Sequence, residues 1–164
     1  MRHIISVLVE NKFGVLSRIS GLFSGRGYNI ESLSVGVTAE EGLSIMTIVT
    51  WGDDAVIEQI IKQLRKLVNV IKVRDVVAMD HIEREMLLVK VHANGRTRPE
   101  IFNIVSTFRA KTIDLNGESL VIEITGTKDK NTAFLKVMEP YGIIEVVRTG
   151  SVAIARGSKA TSDK

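Results

Sequence analysis

Hydrophobic and polar positions follow two different periods at the start of the chain. Over residues 3–9 apolar side chains fall on every second position, which is typical of a strand with one buried face. The next segment changes to helical spacing. Its apolar stripe is Val15, Leu16, Ile19, Leu22 and Phe23. A strand followed by an amphipathic helix is therefore predicted, and Gly27 just beyond the stripe is an ordinary helix stop signal.

The two periods recur up to residue 77. Strands are predicted over residues 32–38 and 43–50, joined by the turn "AEEG" into a hairpin. Asp53 or Asp54 is expected to cap a second helix, and the β-branched run 70–77 is predicted as a fourth strand. The first half therefore has the order βαββαβ.

The second half repeats that order. Pro99 suits the first turn of a helix, and Asn116 with Gly117 is the strongest short hairpin signal. Strands are expected over 86–92, 111–115, 119–125, 143–148 and 151–155, with the last helix over 129–139. The sequence predicts an α+β fold of two tandem ferredoxin-like βαββαβ sandwiches.

A polar stretch without Gly or Pro, "MDHIERE" at residues 79–85, is the expected connection between the halves. We expect a first domain over 1–78 and a second over 79–157. The last residues, 158–164, lack an apolar anchor and are expected to form a disordered tail.

Composition removes several classes of function. The 164 residues are 45% hydrophobic, enough for a real core, and they include no cysteine, which excludes disulfides, thiolate zinc sites and cysteine nucleophiles. The three histidines are scattered and do not form a helical metal pair. We therefore expect no metal site.

Charge and hydropathy give no indication of nucleic acid or membrane. The net charge is only +3, and the basic cluster "KQLRK" at residues 62–66 is expected on the solvated face of a helix. No apolar run is long enough to span a bilayer, and the N-terminus lacks a cleavage site after its short apolar stretch. A cytoplasmic location is expected.

Catalytic motifs are not found. The glycines of "SGRGYNI" end a helix instead of starting one, and the third glycine position of a dinucleotide fingerprint is Ile30. The sequence has no phosphate-binding loop of the Gly-Lys-Ser type, no Gly-x-Ser-x-Gly elbow and no HExxH helix. We expect the chain to contribute no catalytic residue.

The two ends of the first helix carry the candidate chemistry. A helix N-terminus attracts a carboxylate, and Gly14 would let a ligand approach the amides of Gly14, Val15 and Leu16. Asn11 could add a neutral hydrogen bond from the incoming loop. The alternative, an ordinary helix cap at Asn11 and a turn glycine at position 14, stays open on these residues alone.

Asn29 supplies a second polar group beyond the other end of this helix. It lies about 15 residues on, or roughly 20 Å at the helical rise, so one small ligand cannot touch both ends within one chain. The strand over 32–38 should lie at a sheet edge, has no charge or proline, and contains Gly36. We therefore expect a homodimer with a site shared between chains.

These segments resemble a known family. The run from "HIISVLVENKFGVLSRISGLFSGRGYNIESLSV" to "LSIMTIVTWGDD" is similar to the ACT domain of the small regulatory subunit of acetolactate synthase (acetohydroxyacid synthase). The likeness continues through "QLRKLVNVIKV" and "EREMLLVKVHA", and into the second domain in "IFNIVSTFRAKTIDL" and "GIIEVVRTGSVAIARG". It covers nearly the whole chain.

The resemblance implies a non-catalytic subunit that activates a separate large catalytic subunit and confers valine feedback inhibition. That partner is expected to carry thiamine diphosphate, Mg²⁺ and FAD and to make acetolactate from pyruvate. In the family, valine sits between two ACT domains. The matching positions are Asn11, Gly14 and Asn29, with Val15, Leu16 and Ile30 as adjacent contacts.

Two features limit or rival this interpretation. The second domain opens its first helix on "RTRPE", so the resemblance implies no valine site there. An RNA-binding sheet is disfavoured because Trp51 ends a strand and the five Phe lie in or beside helices. An ACT-type amino-acid sensor for a different enzyme or regulator remains the alternative.

Overall fold

The computed structural model describes residues 1–163 and divides the chain into two compact units. The first unit contains residues 1–82 together with the chain from residue 151 onward, and the second contains residues 83–150. Each unit has its own antiparallel sheet with two α-helices in the order βαββαβ. The predicted α+β class with two ferredoxin-like sandwiches is confirmed.

The elements of the first unit follow the predicted order closely. They are β1 (Arg2–Glu10), α1 (Val15–Gly25), β2 (Ile30–Val37), β3 (Leu43–Trp51), α2 (Asp54–Leu64) and β4 (Val70–Asp75). The sheet order is β2-β3-β1-β4, so β2 and β4 form its edges. Continuous antiparallel pairing joins β1 and β3, from Arg2 opposite Trp51 to Glu10 opposite Leu43.

The core of the first unit lies between the sheet and its two helices. Alternate residues of β1 enter it, and α1 contributes Val15, Ile19 and Phe23. Phe23 packs edge-on against Tyr28 with ring centroids 6.3 Å apart. This aromatic contact joins the end of α1 to the start of β2.

The second unit repeats the architecture with a longer first strand. Its elements are β5 (His81–His92), α3 (Arg98–Thr107), β6 (Lys111–Leu115), β7 (Ser119–Gly126), α4 (Lys128–Met138) and β8 (Ile143–Arg148). The sheet order is β6-β7-β5-β8. The short strand β9 (Val152–Ala155) follows and lies in the first unit. Phe108 and Phe134 meet edge-on in the core at 5.3 Å between centroids.

A buried polar cluster fixes α4 against β5 in the second unit. Asn131 is fully buried on α4, and its Nδ2 donates to the Glu85 carbonyl at 3.0 Å and to the Glu85 carboxylate at 3.4 Å. Arg148 on β8 donates to the same carboxylate at 3.0 Å. Three elements therefore meet at one carboxylate, which sets their register.

The structure divides the chain differently from the expected 1–78, 79–157 and 158–164. The strand β5 begins at His81, inside the segment expected to connect the domains, because its polar residues alternate with Ile82 and later apolar positions. Residues 151–163 belong to the first unit. Of the tail expected to be disordered, residues 158–163 are described and Lys164 lies outside the described residues.

Candidate functional site

The entrance of α1 has an open N-terminus. Gly14 is the N-cap residue with φ 81°, a left-handed conformation that glycine adopts without strain. Within the described residues, no side chain caps this end and no acidic residue lies in its first turn. A Cβ at Gly14 would meet nothing within 4 Å. The N-terminal amides of α1 therefore have no side-chain acceptor and carry the positive end of the helix dipole, although the Val15 amide makes a long hydrogen bond of 3.4 Å to the Lys12 carbonyl.

Two other helices of the described residues, α2 and α4, have a side-chain acceptor at this end. Asp53 accepts from the Val56 amide at 2.8 Å at α2, and Thr127 accepts from the Lys130 amide at 3.3 Å at α4. Ahead of α3, the Asn94 amide oxygen accepts from two backbone N–H groups at 2.9 and 3.1 Å. Of the four α-helices in residues 1–163, α2 and α4 have a side-chain cap and α1 and α3 have none; α3 carries Pro99, which has no N–H, in its first turn.

The loop that leads into α1 is held in place from both sides. The backbone N–H of Asn11 donates to the Gly42 carbonyl at 2.7 Å, and Lys12 pairs with Glu10 at 3.0 Å. Asn69 donates to Glu10 at 2.6 Å and accepts from Arg18 at 2.8 Å. These contacts join the loop to the segments that precede β3 and β4 and to α1.

The same contacts control charge beside the entrance. Hydrogen bonds from Asn69 and then from Lys12 hold the pKa of the Glu10 carboxyl below its ordinary value. Glu10 is therefore ionised at neutral pH. Its charge is compensated by Lys12 at 3.0 Å, which reduces its repulsion of an anion bound at the helix end.

Asn29 lies just before β2, at the opposite end of the sheet. The Asn29 carbonyl accepts a hydrogen bond from the Thr50 hydroxyl at 2.6 Å, and Asn29 as a whole is exposed to solvent. Ile30 pairs with Thr50, whereas Glu10, beside the α1 entrance, pairs with Leu43 at the far end of β3. About seven residues of strand separate these levels, or roughly 24 Å at 3.4 Å per residue. One small ligand cannot reach both within one unit.

The three apolar residues expected at the site differ in exposure. Val15 is 4% exposed and its side chain belongs to the core, while its backbone N–H donates to the Lys12 carbonyl at 3.4 Å. Leu16 is 46% exposed and points away from that core stripe. Ile30 is partly buried and packs against the core at the start of β2.

Phe13 is a candidate residue that the sequence reasoning missed. It directly precedes Gly14, and its side chain is fully exposed. Leu16, three residues further on in the first turn of α1, is also exposed. An aromatic residue in an otherwise polar loop, between Lys12 and Gly14, was the signal available in the sequence.

The edge strand β2 is unprotected. Val35 and Val37 are exposed, and a Cβ at Gly36 would meet nothing within 4 Å. No charged residue or proline occurs from Ser32 to Val37. Such an edge presents unpaired backbone groups that can pair with another strand.

Other kinds of site have less support. Among residues 1–163, no group of three or more His, Asp or Glu side chains is placed to hold a metal ion. The described helices are all too short or too polar to cross a bilayer. An apolar cavity of about 480 Å³ lies on the first unit, between β1–β3 and the C-terminal segment 152–162.

Comparison with known proteins gives concordant matches over both halves. A family described as the AHAS small subunit-like ACT domain matches residues 5–72, and one described as the small subunit of acetolactate synthase matches residues 84–157. The probable acetolactate synthase small subunit of Archaeoglobus fulgidus is 52% identical over 97% of this chain and 99% of its own length. The acetolactate synthase small subunit of Mycolicibacterium smegmatis is 50% identical over 96% and 92%.

A solved structure agrees with these sequence matches. The crystal structure of the acetolactate synthase small subunit from Thermotoga maritima superposes with a TM-score of 0.89 at 43% identity. It covers 97% of this chain and 99% of that one. The resemblance inferred from the sequence is confirmed. This chain belongs to the acetolactate synthase small-subunit family.

Proposed function

We propose that this chain is the regulatory subunit that binds and activates the large catalytic subunit of acetolactate synthase and makes it sensitive to valine. Family membership supports the choice of enzyme over another amino-acid-controlled partner. The function would be feedback control of branched-chain amino-acid biosynthesis. The chain itself would act as a homodimer in the cytoplasm.

The observation that carries the proposal is the open N-terminus of α1. Gly14 ends the incoming loop in a left-handed conformation and leaves the first-turn amides without a side-chain acceptor. In α2 and α4, by contrast, a first-turn amide donates to the side chain of the N-cap residue, Asp53 or Thr127. An amino-acid carboxylate supplies the acceptor that α1 lacks, and it also complements the helix dipole.

The remaining groups suit the other parts of valine. Its ammonium would meet neutral amide and carbonyl oxygens, including those of Asn11 and Asn29. Its isopropyl group would contact Leu16 and Ile30, while Val15 contributes its backbone because its side chain is buried in the core. The charges of Glu10 and Lys12 at the α1 entrance compensate each other at 3.0 Å, which favours a zwitterion over an ion with a net charge.

The separation of the two ends supports a site shared between chains. Asn11 and Gly14 adjoin the Leu43 end of β3, and Asn29 adjoins the Thr50 end. If β2 pairs with its symmetry mate, the ends of two chains can form one site. Valine would then change the relative orientation of the subunits, with a coupling of about 1 to 3 kcal/mol if it is typical of allostery.

The chemistry of acetolactate formation would belong to the partner. The large subunit is expected to carry thiamine diphosphate, Mg²⁺ and FAD. This chain would raise the partner's activity by binding to it and would lower that activity when valine is bound.

Reconstitution tests this proposal directly. Acetolactate formation from pyruvate is measured with the large subunit alone, with this chain added, and with both plus valine. We expect activation on adding the chain and its loss on adding valine, with alanine as the control amino acid. Failure to bind or activate the large subunit would reject the proposal, and activation without valine sensitivity would reject its effector part.

A further inference from the structure

Thr50 holds the backbone next to the second half of the proposed effector site. Its side chain is fully buried at the end of β3, and its hydroxyl donates to the Asn29 carbonyl at 2.6 Å. Thr50 also lies opposite Ile30 in the β2–β3 pair. A buried hydroxyl therefore fixes the point at which the chain enters β2.

The regular ladder is interrupted at this point. The β2–β3 register shifts between Ile30 and Ser32, which leaves Glu31 as the extra residue of a bulge. The Glu31 carboxylate accepts from the Trp51 indole and pairs with Arg2 at 3.4 Å. Side chains of β1 and β3 thus hold the bulged start of β2, where the backbone ladder is irregular.

We propose that Thr50 is a positioning residue for the effector site. Its hydrogen bond fixes the backbone of Asn29, so that the exposed Asn29 amide leaves the sheet from one defined position. A ligand that is shared between two chains binds more tightly when the protein groups around it are already ordered, because ordering them on binding costs free energy and reduces affinity. This inference rests on the proposed function.

A pair of substitutions separates positioning from stability. Thr50→Val keeps the shape and removes the donor, whereas Thr50→Ser keeps the donor and removes a buried methyl group. Both variants should unfold somewhat earlier than wild type in a thermal melt. Valine affinity, measured by calorimetry on the full-length chain, should fall on the order of fivefold in Thr50→Val and stay close to wild type in Thr50→Ser.

Two results would overturn the inference while leaving the proposed function in place. One is wild-type valine affinity in Thr50→Val. The other is a loss of affinity that follows thermal stability across both variants, since this is what a purely structural role predicts. If the wild-type chain itself fails to bind valine, the effector function is rejected, and the role of Thr50 with it.

Discussion

The hydroxyl of Thr161 lies 3.1 Å from the hydroxyl of Ser6. Ser6 is in the middle of β1 and only 1% exposed, so water has little access to its hydroxyl. Thr161 supplies the hydrogen-bond partner that this buried hydroxyl needs. Arg74 on β4 also donates to the carbonyl of Asp163. The C-terminal segment is thus held to the first sheet by polar contacts. The sequence predicted a disordered tail because the segment lacks an apolar anchor, and polar contacts of this kind leave no apolar pattern.

Thr161→Val should destabilise the protein because it leaves the Ser6 hydroxyl buried without its partner. The expected loss is about 1 to 2 kcal/mol in the free energy of unfolding, measured by urea denaturation. Thr161→Ser retains the hydroxyl and is the matched control, expected to stay near wild type. Equal stability of all three proteins would show that the segment does not hold to β1 in solution.

Gly14→Asp should abolish valine binding. It places a carboxylate at the open end of α1, where it can cap the free amides itself and repel the ligand's carboxylate. Gly14→Ala is the control: it adds a Cβ into open space at positive φ and should cost about 1 to 2 kcal/mol of stability without a competing charge.

Calorimetry with valine and activation of the large subunit are both measured for these variants. We expect Gly14→Asp to activate the enzyme but to make it insensitive to valine. Gly14→Ala should keep measurable valine binding. Persistence of wild-type valine affinity in Gly14→Asp would remove the helix entrance from the site.

Asn69→Ala should raise the pKa of Glu10. The hydrogen bond from Asn69 is the largest cause of its lowered pKa, and the contact with Lys12 is the next. NMR titration of the Glu10 side-chain carboxyl checks this, with Lys12→Ala as the comparison. A titration midpoint that is the same in both variants and wild type would contradict the assigned contacts.

The sign of the linked pH dependence follows from that shift. Because the folded pKa of Glu10 is lower than the unfolded one, its contribution to stability is present above the unfolded pKa. It is lost as pH falls through the folded pKa. Asn69→Ala should therefore flatten the acid limb of stability against pH, measured by denaturation at several pH values below neutrality.

Asn131→Ala should destabilise the second unit. Asn131 is fully buried and donates to the carbonyl and carboxylate of Glu85, so its removal leaves buried acceptors short of a donor. We expect a loss of about 2 kcal/mol in the free energy of unfolding. Thr132→Ala, at the exposed next position, is the control and should change little.

Much of the fold could be predicted because the hydrophobic period decides both the type and the order of elements. The apolar stripe predicted the helix α1, and the Asn116-Gly117 turn predicted the β6–β7 hairpin. The hydrophobic period could not predict which residues of an apolar stripe are buried, because burial depends on how the sheet and the neighbouring helix pack against that stripe. Leu16 belongs to the predicted stripe yet is 46% exposed.

The candidate site was predictable only in part. Gly14 and Asn29 became candidates from residue type and position and remain a prediction, but the absence of a side-chain cap at α1 becomes significant only by comparison with the capped ends of α2 and α4. The contact of Thr50 with Asn29 joins residues 21 positions apart and leaves no local pattern in the sequence. The returning C-terminal segment was missed for the same reason.

The central claim is that each effector site is shared by two chains, and mixing two variants that each damage one half of the site tests it most directly. Gly14→Asp and Asn29→Ala are prepared separately, then unfolded and refolded together, and valine binding is measured by calorimetry. In a mixed dimer a shared site combines the intact Gly14 end of one chain with the intact Asn29 of the other. We predict that high-affinity binding returns in the mixture, at about one site per four chains for random pairing. No recovery of binding in mixed dimers of verified composition would contradict the account.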